Sequence, residues 1–181
     1  MKEETVITIS GLAGVGTTTL AEGLQKITGY GLYSAGPQFR RIANENSLDI
    51  NRTSEFPIEF HRTVDERMLD VMRSGMSVIV EGWLQGYVAR VNDIVSERIL
   101  VVCDESVRFE RISKREKIDF SEAKKVTELR ERENRQMFYD LYQISNFQDL
   151  AYYTFVLDSG KMTAGEMLIF TLGRLGLLTG N

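Results

Sequence analysis

The sequence predicts an α/β domain in which helices cover both faces of a parallel β-sheet. Short runs of β-branched and other apolar residues alternate with longer amphipathic segments along the whole chain. Apolar runs of this kind are typical of parallel strands that are buried on both faces. The first run leads into a glycine-rich turn and then into a helix, which begins the alternation of strands and helices expected for this class.

The composition indicates a soluble globular protein. A length of 181 residues is enough for one domain with a substantial core, so we expect a monomer, although the sequence does not determine the oligomeric state. The net charge of −4 argues against nucleic-acid binding. The single cysteine, Cys103, excludes an intramolecular disulfide, and its place at the end of an apolar run predicts a buried, inert thiol.

The N-terminal residues and the length of the apolar runs indicate the cellular location to expect. Lys2 is followed at once by two glutamates, and no uncharged apolar stretch approaches the length of a membrane span. We therefore expect a cytoplasmic protein without a membrane partner. His61 is the only histidine, which argues against a metal site built from His and Cys.

Residues 5–20 predict a strand, a phosphate-binding loop and a helix over 17–28. Glycines at 11, 14 and 16 allow a tight turn around an anion, and the helix start adds N–H groups and a positive dipole end. The spacing matches G-x-x-x-x-G-K-[ST], except that Thr17 replaces the lysine. Thr18 keeps the hydroxyl that ligates Mg²⁺ in such loops. A glycine-rich turn without a ligand is the alternative interpretation.

The segment from Gly29 to residue 73 is predicted to hold a short strand and two helices. Residues 32–34 form the strand, and a helix beginning near Pro37 carries Arg40 and Arg41 near its start. Cations near the start of a helix are unfavourable because the helix dipole is positive there, so these arginines suggest that an external anion binds beside them. The alternative is that both arginines are simply solvated. After an irregular stretch over 44–54, residues 58–73 show the apolar periodicity of a helix. Its charged side either covers a cleft or faces solvent.

A buried strand over 76–80 is predicted to end in Glu81 and Gly82. Ligands of α/β proteins bind beyond the carboxyl ends of the strands, so Glu81 is expected to face the loop. Its carboxylate would orient Mg²⁺ or contact a substrate. The alternative is a carboxylate that only caps a nearby loop.

The rest of the chain predicts further strands and helices around a row of arginines. Residues 83–87 read as an aromatic loop, 98–103 and 152–157 as strands, and 106–116 as a helix that places Arg108, Arg111 and Arg115 on one face. The residues alone favour solvated ion pairs for these arginines. A break at 117–120 precedes a long helix that is capped by Ser121 or Asp119 and ends near Tyr142. A capping box at Thr163 opens a final helix that ends near Gly176.

The order and spacing of these features resemble the nucleoside monophosphate kinases, in particular the cytidylate kinases of the archaeal type. The resemblance covers nearly the whole chain. It rests on residues 11–19, Ser34-Ala35-Gly36 with Phe39-Arg40, Arg62 with Asp65 and Arg67, Val80-Glu81-Gly82, Arg108, Arg111-Ile112, Arg115-Glu116, Arg130, Leu141-Tyr142 and Asp149-Leu150.

This resemblance implies a P-loop kinase fold of three α/β/α layers around a five-stranded parallel sheet. One domain would span residues 1–181, with a core of 1–35, 76–107 and 123–181, a nucleotide-binding insertion over about 36–75 and a small lid over about 108–122. The implied reaction transfers the γ-phosphoryl group of Mg²⁺·ATP to a nucleoside monophosphate such as CMP or dCMP. Positioning and charge neutralisation supply most of the catalysis in such reactions.

The resemblance also implies a role for each matching residue. The catalytic set is Thr18, Glu81, Arg108, Arg111, Arg115 and Arg130, with Thr18 as the Mg²⁺ ligand. The acceptor nucleotide is implied to contact Ser34, Gly36, Arg40, Arg62, Asp65, Glu81 and Gly82. The ATP phosphates are implied to lie on Gly11, Leu12, Ala13, Gly14, Val15, Gly16, Thr17, Thr18 and Thr19.

The chain departs from the family pattern at four places, one of them a pair of residues. Thr17 stands for the loop lysine, Trp83 for an arginine after Glu-Gly, Met137-Phe138 for an Arg-Tyr pair, and Pro37 for an aspartate. Three of these changes remove a cation from the expected active site. A charge-assisted hydrogen bond to phosphate contributes roughly 1.5–3 kcal/mol, so the alternative to a kinase is a protein that binds nucleotides without efficient phosphoryl transfer.

Overall fold

The computed structural model describes residues 4–50, 52 and 55–178. Within these residues five strands form one parallel sheet in the order β2-β3-β1-β4-β5. The strands are β1 (Val6–Ser10), β2 (Gly31–Ser34), β3 (Val78–Gly82), β4 (Glu97–Val102) and β5 (Phe155–Asp158). The predicted five-stranded parallel sheet is therefore confirmed.

Helices cover both faces of this sheet. They are α1 (Thr17–Thr28), α2 (Ala35–Asn46), α3 (Ile58–Met72), α4 (Gln85–Val91), α5 (Glu105–Glu116), α6 (Phe120–Tyr142) and α7 (Ala164–Arg174). Helices α1 and α7 pack on one face, and α3 and α4 pack on the other. The fold thus has the three α/β/α layers that the sequence predicts.

Alternate residues of the central strands build the two cores. Val78 and Val80 of β3 point toward α3 and α4, whereas Ile79 points toward α1 and α7. Ile7 and Ile9 of β1 join the second core, and both are fully buried. Because both faces are covered, these strands are apolar along most of their length.

The sheet topology brings the loop and Glu81 together. Strand β1 lies between β3 and β4, and its last residue, Ser10, is paired with Gly82. Glu81 is paired with Ile9 on one side and with Ser34 on the other. The carboxyl ends of β1, β2 and β3 consequently meet at one edge of the sheet, where ligands bind in open α/β folds.

The strand predicted over 76–80, ending in Glu81 and Gly82, is β3: it begins two residues later than predicted and ends at Gly82 as predicted, because Glu81 and Gly82 pair with β1. The predicted loop over 83–87 contains the start of α4 instead. Gly86 allows this helix to lie close to the sheet, since a Cβ there would come within 2.3 Å of the Tyr153 ring, and its N–H donates to Ser10 Oγ.

The last strand also differs from the prediction. The expected strand over 152–157 is a 3₁₀ turn at Leu150–Tyr152 followed by β5. The aromatic residues that suggested a strand serve the core, because the Tyr153 hydroxyl donates to the Phe147 carbonyl at 2.6 Å.

Helix ends follow the predicted signals closely. The Asp119 side chain caps α6, and Thr163 and Glu166 form the capping box of α7. The stretch predicted as irregular over 44–54 begins as the last turn of α2, and positions 51, 53 and 54 lie outside the described residues. None of the helices within the described ranges is both long enough and apolar enough for a membrane crossing.

Candidate active site

A cleft of about 370 Å³ lies at the carboxyl edge of the sheet. Eight of the nine predicted loop residues line it, namely Gly11, Leu12, Ala13, Gly14, Gly16, Thr17, Thr18 and Thr19. The exception is Val15, whose side chain is buried in the core beneath the loop. The structure therefore presents the glycine-rich segment as one wall of a cavity.

The glycines of this loop are required by its geometry. A Cβ at Gly11 would lie 2.6 Å from Val15 Cγ2 and 2.7 Å from the Val101 carbonyl oxygen. Gly14 has a φ of +84° and Gly16 a φ of +97°, a region that residues with a side chain rarely adopt. The backbone thus turns closely enough to point N–H groups inward.

The start of α1 faces the same cleft. Gly16 occupies the N-cap position and has no side chain to bond the free N–H groups, and no acidic residue lies in the first turn. Uncapped N–H groups and the positive end of the helix dipole favour an anion. Loop and helix start together have the features of an anion-binding site.

Glu81 is joined to the loop by two threonine hydroxyls. Thr17 Oγ1 donates to Glu81 Oε1 at 2.6 Å, and Thr18 Oγ1 donates to the same oxygen at 3.3 Å. Glu81 is only 8% exposed. No lysine or arginine among the described residues lies within 4.0 Å of its carboxylate. The carboxylate is hydrogen-bonded, and its charge is not paired.

Arg108 lies beneath the loop and not in the cleft. It is 1% exposed, and its Nη1 donates to the Ala13 carbonyl at 3.1 Å and to Glu131 Oε1 at 2.5 Å. The interpretation of Arg108 as a solvated surface residue is wrong, because Glu131 of α6 supplies a buried counter-charge. Its place in the structure is that of a support for the loop.

Arg111 and Arg115 line the cleft from α5. Arg111 donates to Ser159 Oγ at 2.9 Å and to the Ser159 carbonyl at 2.8 Å, and it approaches the Gly14 carbonyl at 3.3 Å. Arg115 is exposed and pairs with Glu116 at 2.9 Å. Arg111 is therefore fixed beside the loop, whereas Arg115 is free to turn.

The prediction of a fully buried Cys103 is wrong. The thiol is half-buried, and its Sγ lies 3.6 Å from Arg111 Nη1. Strand β4 ends one residue earlier, so Cys103 lies at the sheet edge, outside the covered part of the strand.

Arg130 of α6 rests on the face of Trp83. Its guanidinium carbon is 5.7 Å from the ring centroid, and its Nε has no hydrogen-bond partner. Burial, together with the neighbouring cations Arg40 and Arg115, lowers the pKa of Arg130 to about 10. The side chain is still charged at neutral pH. Trp83 in turn stacks on Phe147 with centroids 6.1 Å apart.

The predicted acceptor residues divide into two groups. The structure brings Gly36, Arg40, Asp65, Glu81 and Gly82 to the cleft. Two others lie outside its lining. Ser34 is the half-buried last residue of β2, and Arg62 is exposed and pairs with Glu59 at 3.9 Å. Helical geometry explains the second case, because the face of α3 that meets the cleft carries His61 and Asp65.

Asp65 and Tyr142 form a hydrogen bond between α3 and the end of α6. The Tyr142 hydroxyl donates to Asp65 Oδ2 at 2.5 Å. Burial raises the pKa of Asp65 to about 6, an effect that this hydrogen bond partly offsets. Asp65 is therefore ionised at neutral pH but close enough to its pKa to titrate under mildly acidic conditions.

Several residues that line the cleft were not among the predicted site residues. The additional lining side chains are mainly apolar or neutral, and they include Phe39, Ile50, His61, Trp83, Leu84, Gln85, Asn134, Phe138 and Leu141. The sequence could have indicated Asn134, because it lies four residues after Arg130 and therefore on the same face of the helix. Phe138 lies four residues further along on that face. No sequence signal indicated Gln85, since the helix that buries it was not predicted.

Comparisons with known proteins agree with this geometry. The family profile of the AAA domain matches residues 7–137. The cytidylate kinase of Thermoplasma volcanium is 33% identical over 172 residues, which cover 93% of this chain and 90% of that protein. The cytidylate kinase of Pyrococcus abyssi is 36% identical over 159 residues, covering 86% and 85%.

A solved structure supports the fold independently. Shikimate kinase from Bacteroides thetaiotaomicron superimposes with a TM-score of 0.61 at 13% identity, over 96% of this chain and 99% of that one. At this identity the similarity concerns the fold alone. The family itself follows from the sequence matches: the chain belongs to the AAA domain family and to the nucleoside monophosphate kinase family, of which these cytidylate kinases are members.

Proposed function

We propose that this protein transfers the γ-phosphoryl group of ATP to a nucleoside monophosphate, with CMP or dCMP as the acceptor. The observation that carries the proposal is one cleft that combines an anion-binding loop with guanidinium groups from three helices, Arg40, Arg115 and Arg130. Neither Arg40 nor Arg130 has a carboxylate partner within 4.0 Å among the described residues. Unpaired cations around a phosphate loop suit two phosphorylated substrates.

The residues at the base of the cleft fit a magnesium ion. Thr18 Oγ1 and the Glu81 carboxylate are oxygen donors, which Mg²⁺ prefers, and substrate phosphates commonly complete such a site. Mg²⁺ would there neutralise charge on the ATP phosphates. Within the described residues no cluster of three His, Cys, Asp or Glu side chains offers a different metal site.

We assign the loop to the donor phosphates and the opposite wall to the acceptor. Arg40 of α2 would hold the acceptor phosphate, and Asp65 and Asn134 would offer hydrogen bonds to the base or sugar. We treat α2 and α3 as the acceptor-binding insertion, and the α5 to α6 turn as the lid that carries Arg115. Ser34 and Arg62 would contact the acceptor only in a closed form, and Arg108 acts through the loop. The names of the relatives favour cytosine as the base.

The test is a coupled assay of ADP release with Mg²⁺·ATP and CMP, dCMP, UMP, AMP or GMP. We expect the largest kcat/KM with CMP or dCMP. Arg130→Met should lower kcat/KM by about 10²–10³-fold, as expected for loss of one group that stabilises transition-state charge. Arg132→Met is the matched control, because this arginine is exposed on α6 outside the cleft.

Two results would contradict the proposal. Binding of ATP without turnover of any acceptor would indicate a nucleotide-binding protein that lacks phosphoryl transfer. A preference for a purine monophosphate would contradict the assignment of the base but not that of the reaction.

A further inference from the structure

We propose that a monovalent cation, K⁺ in the cell, binds beside Thr17, at the place where a P-loop usually carries a lysine ammonium. The site would be formed by Thr17 Oγ1, the Glu81 carboxylate and the terminal phosphates of the bound nucleotide. The inference rests on the proposed function only in requiring that nucleotide phosphates occupy the loop.

The first argument is the charge of Glu81. Glu81 is only 8% exposed and lines the cleft, and its carboxylate accepts hydrogen bonds from two neutral hydroxyls. Burial of a carboxylate without a counter-charge is costly. Bound nucleotide adds further negative charge at the same place, and the two positive charges of Mg²⁺ would offset only part of the total. A lysine would normally balance part of it, and Thr17 cannot.

The second argument is the direction of the Thr17 hydrogen bond. The hydroxyl donates its proton to Glu81, so the lone pairs of Oγ1 are not used in that bond. Thr17 also lines the cleft. Its oxygen is therefore placed to coordinate a cation that touches both Glu81 and a phosphate.

The third argument is that the arginines beside the loop make contacts with residues other than Glu81. Arg108 is buried against Glu131, Arg111 is bonded to Ser159, and Arg130 rests on Trp83. Arg40 and Arg115 also line the cleft, but none of these five arginines lies within 4.0 Å of the Glu81 carboxylate. No lysine or arginine among the described residues therefore lies beside Glu81, where the P-loop lysine would be.

The oxygen ligands of the proposed site determine which charge the ion should carry. A lysine contributes a single positive charge, and Glu81, the carboxylate bonded to both loop threonines, would be shared between Mg²⁺ at Thr18 and this ion. A second divalent ion would need more anionic ligands, whereas neutral hydroxyls and shared phosphate oxygens suit an alkali cation. The chemical class is therefore a hard monovalent ion.

The test measures the affinity for Mg²⁺·ADP by calorimetry in KCl and in tetramethylammonium chloride at equal ionic strength. Tetramethylammonium screens charge as well as K⁺ does but cannot coordinate oxygen atoms closely. We expect wild-type affinity to be about tenfold lower in tetramethylammonium, the scale of one charge-assisted interaction. Crystals grown with Mg²⁺·ADP and RbCl should show an anomalous Rb⁺ peak in contact with Thr17 Oγ1.

Variants at position 17 separate the ion from the fold of the loop. Thr17→Ser should keep the salt effect. Thr17→Val should bind weakly in both salts, and Thr17→Lys should bind equally well in both, because its ammonium replaces the ion. Thr8→Val is the matched control: Thr8 is fully buried in β1, and its hydroxyl has no partner, so the variant should retain the wild-type salt effect.

The possible failures are distinguishable. Equal wild-type affinity in the two salts would overturn the cation site and leave the proposed kinase function in place. A salt effect that persists in Thr17→Lys would also overturn it. Absence of Mg²⁺·ADP binding in either salt would contradict the phosphate loop itself and therefore both proposals. The wild-type comparison needs no variant to fold.

Discussion

The two walls of the cleft are built by different kinds of interaction. The loop wall is fixed by hydrogen bonds and buried charge, with Arg108 joining Ala13 to Glu131. The opposite wall, which carries Phe39 and Trp83 and which we call the acceptor wall, is supported by aromatic contacts. Phe39 contacts Phe56 and Phe60 edge-on, and Trp83 stacks on Phe147. Hydrogen bonds require a narrow geometry, whereas apolar contacts are non-directional. The donor wall is thus preorganised, and the acceptor wall has freedom to repack.

Among the variants that test the difference between the two walls, Arg108→Met is expected to have the largest effect. This change leaves Glu131 buried without a partner and removes a support of the loop, so the free energy of unfolding should fall by about 3–5 kcal/mol. Urea unfolding measures it. Lys124→Met is the control, because its pair with Glu128 is exposed. A loss no larger than that of the control would show that the loop does not depend on the ion pair.

A smaller effect is expected on the acceptor wall from Asp65→Asn. The ordinary pKa of this carboxyl is 3.8 and burial raises it to about 6, so the folded protein binds the proton more tightly than the unfolded chain does. Ionisation of Asp65 therefore lowers stability as the pH rises from about 4 through 6.

Asn cannot ionise, so the stability of Asp65→Asn relative to wild type should increase by about 2–3 kcal/mol between pH 4 and pH 7. Urea unfolding at several pH values provides the measurement. Asp70→Asn, an exposed position on the same helix, is the control. A stability difference that does not vary with pH would mean that Asp65 is not desolvated.

The smallest effect is expected from Trp83→Leu. Loss of the aromatic face beneath Arg130 removes a cation–π contact of about 1 kcal/mol, so KM for the acceptor should rise roughly fivefold. KM for ATP should stay the same, and Trp83→Phe should recover most of the loss. An equal rise in both KM values would show that Trp83 supports the whole cleft, and the division into two walls would then fail.

The loop wall was predictable from the sequence because its determinants are local. Gly11, Gly14 and Gly16 follow one apolar strand and precede one helix, and each is needed for a backbone reason that neighbouring residues impose. Capping at Asp119 and Thr163 was predictable for the same reason. These signals require only a few consecutive residues.

The contacts that the sequence did not indicate join distant segments. Arg108 is buried only because Glu131 lies opposite it, 23 residues further along the chain. Thr17 bonds Glu81 across 64 residues. Tyr153 belongs to the core because Gly86 leaves room for its ring. Propensity and periodicity do not encode such pairs, so the direction in which each arginine points had to come from the structure.

The anchoring of Arg108 has a consequence for motion. A lid that began at this residue would have to break its bonds to Ala13 and Glu131 each time it closed, and Arg111 is tied to Ser159 in the same way. The pivot of any closure therefore lies beyond Arg111. A lid of this kind would be short, from Lys114 to the start of α6, where Lys117 has a left-handed conformation. Arg115 would move with it, and Arg108 and Arg111 would stay with the loop.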